Sequence, residues 1–523
     1  MKQSSLTRAA SIVAFLTAIS KILGFIRETS LAAVFGATYA TDAYLVARTI
    51  PYLLSAIISH ALTTTFIPVY SHVRERNGQD AAFQMASTVL SAVGFISIVL
   101  VFFGEATAKH LVVLVAPSYT GQMADLTVCL SRIILPMMVF QLLSGIITGI
   151  LQSDGEFTVP TAADLVQNIA IIISVVFFGS RHGIEAVAFG TLVGAVGACI
   201  AKVPALIRIG FRCRWKVDLR DPSLQRMLVL MLPAIIGAGA NELNVMVDRM
   251  LASSLPEGRV AALNYANRLM NLAPGILGTS LVTVMYPRLA NLAAQSDWKG
   301  FSESLVNSLS MIHFLLAPIA VGAIVLREPL VKIVYQRGAF DAVATKETAW
   351  ALLFLGLGMA VFTMGNMVNR SFFALQDTRT PMIVGVVTVG INVVLNLILV
   401  GPLEQGGLAL ATTIASMCGL VVSLFTMSRK AEVSLPIRKL VYSVVRVLTA
   451  SVIMGAVVWW SYQHIQGVWA RPGTLDELGR VIVVVMGGAI IYVSCLAILQ
   501  APQLDVVLEV VRRISRGSRG QKT

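Results

Sequence analysis

The sequence predicts an all-α polytopic membrane protein of about 14 transmembrane helices, arranged as two six-helix lobes in parallel pseudo-two-fold repeat plus two extra C-terminal helices. Three observations carry that prediction. Of the 523 residues, 56% are hydrophobic and only 13% charged, roughly half the charged fraction of an average soluble protein. Apolar runs long enough to cross a bilayer recur along the whole chain, with no long polar linker between them. The chain also echoes itself at an offset near 220 residues.

The expected spans fall near 6–36, 43–73, 82–103, 123–151, 158–178 and 183–208 in the first half. In the second half they fall near 227–254, 258–292, 304–326, 344–375, 381–400 and 406–428, followed by 440–463 and 479–500. Several exceed the roughly 20 residues a crossing needs, so tilt or kinks are expected, with Gly24, Pro51 and Pro274 as the weak points. Two segments, 105–117 and 328–340, mix apolar and charged residues and read as short interfacial helices.

With the N-terminus inside, the cytoplasmic segments hold 22 basic residues and the outer segments 9. That asymmetry places both termini in the cytoplasm. The net charge of +13 therefore reads as membrane anchoring. No nucleic-acid motif or aromatic-interleaved basic patch accompanies it. The five cysteines show no CxxC pair or metal-ligand spacing. No cleavable signal peptide is expected, because the first apolar stretch is long and lacks a small-residue cleavage site.

The repeat rests on five matches in the same order. Arg48 and Arg268 each open a stretch that closes on a proline, Pro68 and Pro287. Leu151-Gln152 before Pro160 echoes Leu375-Gln376 before Pro381, and GIEAVA at 183–188 echoes GGLALA at 406–411. The offsets are 220, 219, 224, 221 and 223. Six spans separate equivalent positions, so the halves share one orientation. Such repeats are a device of transporters that alternate access to a site between them. The expected division is residues 1–215 and 216–435 for the lobes, with 436–523 as two additional spans and a basic tail.

Nine basic residues lie about five residues or more inside span ends: Lys21, Arg27, Arg48, Arg132, Lys202, Arg249, Arg268, Arg370 and Arg446. A charge at the bilayer centre costs at least about 2.5–3.5 kcal/mol, so such residues face protein, a partner or a watery cavity. Lys202 and Arg446, near span ends, are expected to snorkel. Arg132, Arg249 and Arg370 read as structural. Arg27, Arg48 and Arg268 suggest a basic cavity for an anionic cargo, since guanidinium stays charged and binds phosphate bidentately. The competing reading pairs them with Glu28, Asp42 or Asp248. A second constellation is polar and nearly neutral. Asn241, Asn244 and Asp248 share one helix face, Asn392 and Asn396 share another, and Thr412 lies in the following span. Oxygens from Asp248, Asn392, Asn396 and Thr412 could hold Na⁺; ordinary interhelical hydrogen bonding explains them equally. Gly145-x-x-x-Gly149 and Gly190-x-x-x-Gly194 read as close helix contacts within a lobe.

The stretch SKILGFIRETSLAAVFGATYATDAYLVARTIP at 20–51 resembles the opening signature of the MurJ/MviN lipid II flippases, within the multidrug/oligosaccharidyl-lipid/polysaccharide exporter superfamily. ANRLMNLAPGILGTSLVTVMYPRLA at 266–290 is similar to that family's eighth span, and NVVLNLILVGPLEQGGLALATT at 392–413 to its spans 11 and 12. The resemblance implies two lobes around a central cavity, with the last two spans forming a groove beside it; a long polyprenyl tail, which cannot fit a polar cavity, is expected to lie along such an apolar groove at 440–463 and 479–500. It implies a flippase, not an enzyme, in the bacterial cytoplasmic (inner) membrane. Lipid II would be its cargo, with membrane lipids and the cell-wall synthesis machinery as partners. It places Lys21, Arg27 and Arg268 among the substrate-binding residues, with Arg48 added from its position, and Glu28 and Asp42 as gating or charge-organising residues. It also allows Na⁺ at the second constellation, where some members carry an aspartate in place of Asn396. In the second span some members carry two arginines and a glutamate where this chain has Ser55, Ala56 and His60.

No HExxH, GxSxG or Walker A pattern occurs, so lipid hydrolysis and direct ATP coupling find no support. A membrane potential or ion gradient is the expected energy source. The alternatives are a flippase for another polyprenyl-linked glycan, a cation-coupled drug exporter and a non-transporting membrane scaffold. A drug exporter calls for acids and aromatics along the cavity rather than arginines.

Overall fold

The computed structural model describes residues 2–213, 222–430, 433–468 and 473–504. The basic tail beyond 504 and the side chains of Asn241 and His60 lie outside the described set. Every described regular element is a helix, as apolar chains without water to satisfy their backbones require. Each of the fourteen expected spans falls on a helix or a pair of consecutive helices. Ten described helical stretches are long and apolar enough to cross a membrane, or eleven if one bent pair counts as a single span.

The chain forms two compact units, Met1–Ala261 with Arg337–Ala344, and Ala262–Gln336 with Thr345–Thr523. Contacts thus keep the seventh expected span with the first unit, although the repeat assigns it to the second half.

The first unit begins with α1 (Lys2–Phe35), α2 (Tyr39–Asn77) and α3 (Gln79–Val115). α4 (Gly121–Ile134) and α5 (Met137–Ser153) together make the expected fourth span, interrupted at Leu135-Pro136. α6 (Thr158–Ile173), a π-helical turn at Ser174–Phe178, α7 (Gly179–Ile200) and α8 (Val203–Arg208) follow, then α9 (Pro222–Ala252). α7 hides a break at Gly183, whose backbone is non-helical, and this break separates the expected fifth and sixth spans. α2 is central, packing against α3, α4, α5 and α9, while α1 lies on α6 and α6 on α7. The core gathers Leu62, Phe66, Tyr70, Met85, Val89, Met138, Leu142, Ile146 and Ile150.

Both small-residue motifs make contacts inside this unit. A Cβ at Gly149 would lie 2.9 Å from the Phe66 ring, and one at Gly194 would lie 3.0 Å from the Gln167 carbonyl. Gly190 presses on Ser174 more closely still. Three expectations fail here. α1 runs unbroken through Gly24 and α2 through Pro51. Residues 105–117 form no separate interfacial helix but continue α3 to Val115. Lys202 does not snorkel. It is buried and donates to Ser144 Oγ at 2.6 Å and Thr148 Oγ1 at 2.9 Å, because hydroxyls on α5 satisfy its ammonium at less cost than reaching water.

The second unit contains α10 (Arg259–Met270, from Ala262 onward), a π-helical turn at Pro274–Gly278, α11 (Thr279–Ala294), α12 (Trp298–Val325) and α13 (Arg327–Tyr335). α14 (Ala342–Ala374), α15 (Arg379–Leu403), α16 (Gln405–Ser428), α17 (Ile437–Val468) and α18 (Thr474–Ile498) complete it. The bent pair is α10 and the stretch Pro274–Ala294, at 45°. The kink falls where Pro274 was expected to produce one, since proline has no N–H and its ring crowds the preceding turn. α15 packs on α16, α12 on α17, and α17 on α18. One core collects Leu289, Phe301, Leu305, Leu309, Met367 and Phe372. A second collects Phe314, Val447, Met454, Val458, Val484 and Tyr492.

The repeat is visible in matching corners. Glu156 accepts hydrogen bonds from the N–H groups of Thr158 and Val159 at the start of α6. Asp377 accepts them from the N–H and hydroxyl of Thr380 at the start of α15. Beside each cap lies an ion pair, Arg74–Asp154 at 2.8 Å and Lys430–Asp377 at 2.7 Å. Burial works to raise the Asp377 pKa, but hydrogen bonds from Lys430 and Thr380 outweigh it and hold the carboxyl at about 2.

Two predictions follow from this packing. Gly190→Val overpacks the α6–α7 contact and should destabilise the protein by about 1–3 kcal/mol, read as a lower melting temperature and less monodisperse protein in detergent. Asp377 has a depressed folded pKa, so its stabilisation is present above its unfolded value near 3.8 and fades as pH falls toward about 2. The melting-temperature gap between wild type and Asp377→Asn should therefore stay constant from neutral pH down to about pH 4 and narrow below it.

Candidate functional site: buried charge in the two units

In the first unit, α1 and α6 bring together a charge cluster that their sequences carry separately. The Arg27 guanidinium lies 2.7 Å from Glu28 Oε1 and donates to Asn168 Oδ1 at 3.1 Å. Adjacent helix residues point in different directions, so the Arg27–Glu28 contact requires the arginine to fold back across its own helix. Asn168, on α6, holds the other branch of the fork and is itself anchored by donating to the Asp164 carbonyl. Glu28 is buried, whereas Arg27 keeps 16% of its side chain exposed. The guanidinium is thus positioned, charged and reachable.

Arg48, on α2, is half-buried, its guanidinium 5.7 Å from the Tyr44 ring centre. Tyr44 is fixed in turn by a 2.8 Å hydrogen bond to Thr191. Glu28, the ion-pair partner of Arg27, is the buried carboxylate of this part of the first unit. Arg249 on α9 feels Arg48, Asp248, Tyr119 and Asp42. Lys21 is exposed on α1, about 120° around the helix from Arg27. Ser55 is buried and Ala56 half-buried on α2.

Asp42 has a defined backbone role. It is buried, and its two oxygens accept from the N–H groups of Gly258 at 2.6 Å and Ala261 at 2.7 Å. This is a helix N-cap supplied from a distant helix, and the negative charge also suits the positive end of the helix dipole. The surrounding turns touch backbone to backbone. Gly258, at φ +83°, leaves no room for a Cβ against the Ala37 carbonyl, and Gly338, at φ +59°, none against the Ala33 carbonyl. Ala339 N–H donates to the Ala33 carbonyl at 2.8 Å. Tyr119, in the turn between α3 and α4, has its hydroxyl pKa pushed up by burial and by the Asp42 charge.

In the second unit, Arg268 is exposed in the last turn of α10. The helix breaks just beyond it, and a cation in the last turn suits the negative end of the helix dipole. Asn396 Nδ2 donates to Asn392 Oδ1 at 2.9 Å, Asn392 Nδ2 to Thr412 Oγ1 at 3.2 Å, and Thr412 to the Leu408 carbonyl. These groups link α15 to α16 through one another, and together they offer neutral oxygens only. Asp248 belongs to the first unit. Among the described residues no group of three or more His, Cys, Asp or Glu side chains could hold a metal ion.

A polytopic helical membrane protein with arginines held inside its spans fits the transporter class of folds. The comparisons narrow the class. The family profile described as "Lipid II flippase MurJ" matches residues 31–475, and the chain belongs to that family. It is 31% identical over 425 residues to a probable lipid II flippase MurJ of Rhizobium meliloti, covering 79% of this chain and 78% of the relative. It is 27% identical over 483 residues to the lipid II flippase MurJ of Burkholderia cenocepacia, covering 91% and 93%. A lipid II flippase MurJ solved in an inward closed conformation superposes with a TM-score of 0.79 at 25% identity, covering 93% of this chain and 98% of that one. An inward-facing multidrug resistance transporter of the MATE family shares the fold, with a TM-score of 0.66 at 13% identity over 80% of this chain and 97% of that one.

Removing the Asp42 carboxylate should loosen the turn it caps. Asp42→Ala leaves two backbone N–H groups without their charged acceptor, a loss of about 1.5–3 kcal/mol. Asp42→Asn, which keeps one acceptor oxygen, should lose less. Thermal unfolding of the purified variants in detergent checks the order.

Proposed function

We propose that this chain moves lipid II from the inner to the outer leaflet of the bacterial cytoplasmic membrane by alternating access. The observation that carries the proposal is the Arg27 site. A guanidinium held by Glu28 and Asn168 inside an apolar helix bundle, with a second arginine, Arg48, half-buried against Tyr44 in the same unit, suits a pyrophosphate-bearing head group. Membership of the family and the names of the relatives support the same cargo. Arg268, exposed at a broken helix end, is the corresponding cation of the second unit. Lys21, exposed in the middle of α1, adds a further positive charge.

The polyprenyl tail cannot enter a polar site and must stay in apolar surroundings while the head group crosses. α17 and α18 offer such surroundings: Val441, Val445, Val452, Ile482, Met486 and Ile490 are all exposed large apolar side chains on them. The 22-to-9 distribution of basic residues favours both termini in the cytoplasm. Charge on the head group couples its movement to the membrane potential, worth about 2.3 kcal/mol per charge per 100 mV. No nucleotide motif offers another source. If Na⁺ contributes, Asn392, Asn396 and Thr412 would have to exchange their mutual hydrogen bonds for the ion.

Depletion of the protein in cells without a second flippase should cause lipid II to accumulate in the inner leaflet and arrest wall synthesis. Continued normal wall synthesis would refute the proposal. In the same cells Arg27→Ala should abolish complementation at unchanged expression. Arg27→Lys should restore growth only in part, because lysine offers a point charge and cannot bridge Glu28, Asn168 and a phosphate with one planar fork.

A further inference from the structure

The two halves of the repeat differ sharply at one place. In the first half, residues 105–117 continue α3 as a single helix to Val115. In the second half, the corresponding helix α12 stops at Val325, and residues 327–335 form the separate helix α13. α13 lies against α18, one of the two helices that have no counterpart in the repeat. Where the extra pair is present, the chain breaks and docks a short helix on it.

The docking is specific. Glu477, in the first turn of α18, is 3% exposed. Its carboxylate receives Arg480 Nη2 at 3.0 Å, Lys332 Nζ at 3.4 Å, and the Tyr462 hydroxyl. These partners come from α18, α13 and α17, so one buried carboxylate ties three helices together. Leu330 and Ile333 of α13 add apolar contact with the α17–α18 core. A buried charge network is a costly way to gain stability and a good way to fix one geometry. In the same last turn as Lys332, α13 closes on Tyr335, which is fully buried. Its hydroxyl donates to the Tyr265 carbonyl at 3.3 Å, and the two rings lie 5.0 Å apart. Tyr265 sits on α10, three residues before Arg268, about one helical turn.

We propose that α13 is a strut through which the α17–α18 pair sets the position of α10, and that Glu477 and Tyr335 are positioning residues for Arg268. The proposal rests on the reading of Arg268 as a cargo-binding cation. Glu477 holds Lys332 and Tyr335 reaches Tyr265, both from the last turn of α13, so the link between the α17–α18 pair and α10 is short. α10 needs such a support because the Pro274 break frees its C-terminal end from the helix that follows. The pair outside the repeat would then hold the head-group machinery of the second unit in register, besides offering an apolar surface to a tail.

The test is hydrogen–deuterium exchange of the full-length protein in lipid nanodiscs, without cargo. Glu477→Gln removes the charge that holds Lys332, and Tyr335→Phe removes only the hydroxyl that reaches Tyr265. The amides of residues 262–270 should exchange about two- to fivefold faster in Glu477→Gln, the scale of a half-exposed ion pair. In Tyr335→Phe they should exchange about two- to tenfold faster, the scale of one neutral hydrogen bond. Exchange in α12 should stay at the wild-type rate, and lipid II transport should fall while expression holds. Unchanged protection of 262–270 in both variants, or a change confined to residues 474–484, would overturn the strut. If Glu477→Gln does not fold, Lys332→Ala leaves the buried Glu477–Arg480–Tyr462 group intact and carries the same test with the same overturning result. Because this readout needs no cargo, the two readings fail separately. Loosened α10 together with an Arg268→Ala variant that still supports growth would remove Arg268 from the cargo site and leave the strut standing.

Discussion

A charged side chain within an apolar bundle must find a partner inside it, and this constraint organises the molecule. It explains why Arg27 folds back on Glu28 and reaches α6 for Asn168. It explains why Lys202 turns inward to two hydroxyls and why Glu477 gathers a lysine, an arginine and a tyrosine from three helices. Breaking one partner of such a group leaves the other buried and unpaired, which costs far more than the pair contributes in isolation. Each cluster therefore pins its helices in one arrangement. The clusters differ in what they leave open. Glu477 is enclosed by its partners, whereas Arg27 retains exposed surface through which an anion can approach.

The repeat shows which features belong to the common scaffold and which to one half. Both halves place a carboxylate at the start of a helix, in the LQ corners that follow the expected fourth and tenth spans, and set a basic residue beside it. Such corners need only local geometry, so they persist through duplication even though the base comes from α2 in one case and from beyond α16 in the other. The Asp42 cap lacks this symmetry. It joins residues more than 200 positions apart and holds turns whose glycines admit no side chain. Two carbonyls, from Ala33 and Ala37, fill the space where those side chains would project.

The fold class was legible in the sequence because lipid exposure imposes composition directly. Apolar runs, basic loop asymmetry and the 220-residue echo all report the environment rather than any particular contact. Fine structure was less legible where packing overrode local signals. Residues 105–117 and 328–340 have similar mixed composition, yet one continues its helix and the other breaks away, because only the second has α18 to lie against. Pro51 was expected to kink α2, and the helix continues through it, while Pro274 does mark a bend. At the site, Arg27 and Glu28 were legible as charges out of place. Asn168 was not, since an amide in a span is ordinary, and its role depends on the meeting of α1 with α6.

The same reasoning separates the two faces of the α17–α18 pair. One face is closed by α12 and α13 and contains the Glu477 group, with its full set of partners and fixed geometry. The exposed face shows valines, isoleucines and methionines with no partner-specific chemistry, which suits a surface set against hydrocarbon. Polar groups confer position because their bonds are directional and few; apolar surface confers tolerance because its free energy depends on area and hardly on orientation. A helix pair with one face of each kind can hold a neighbouring helix in place while a flexible chain moves past its other side. Neither demand would be met by a pair that was apolar all round, since nothing would then fix its rotation against α12.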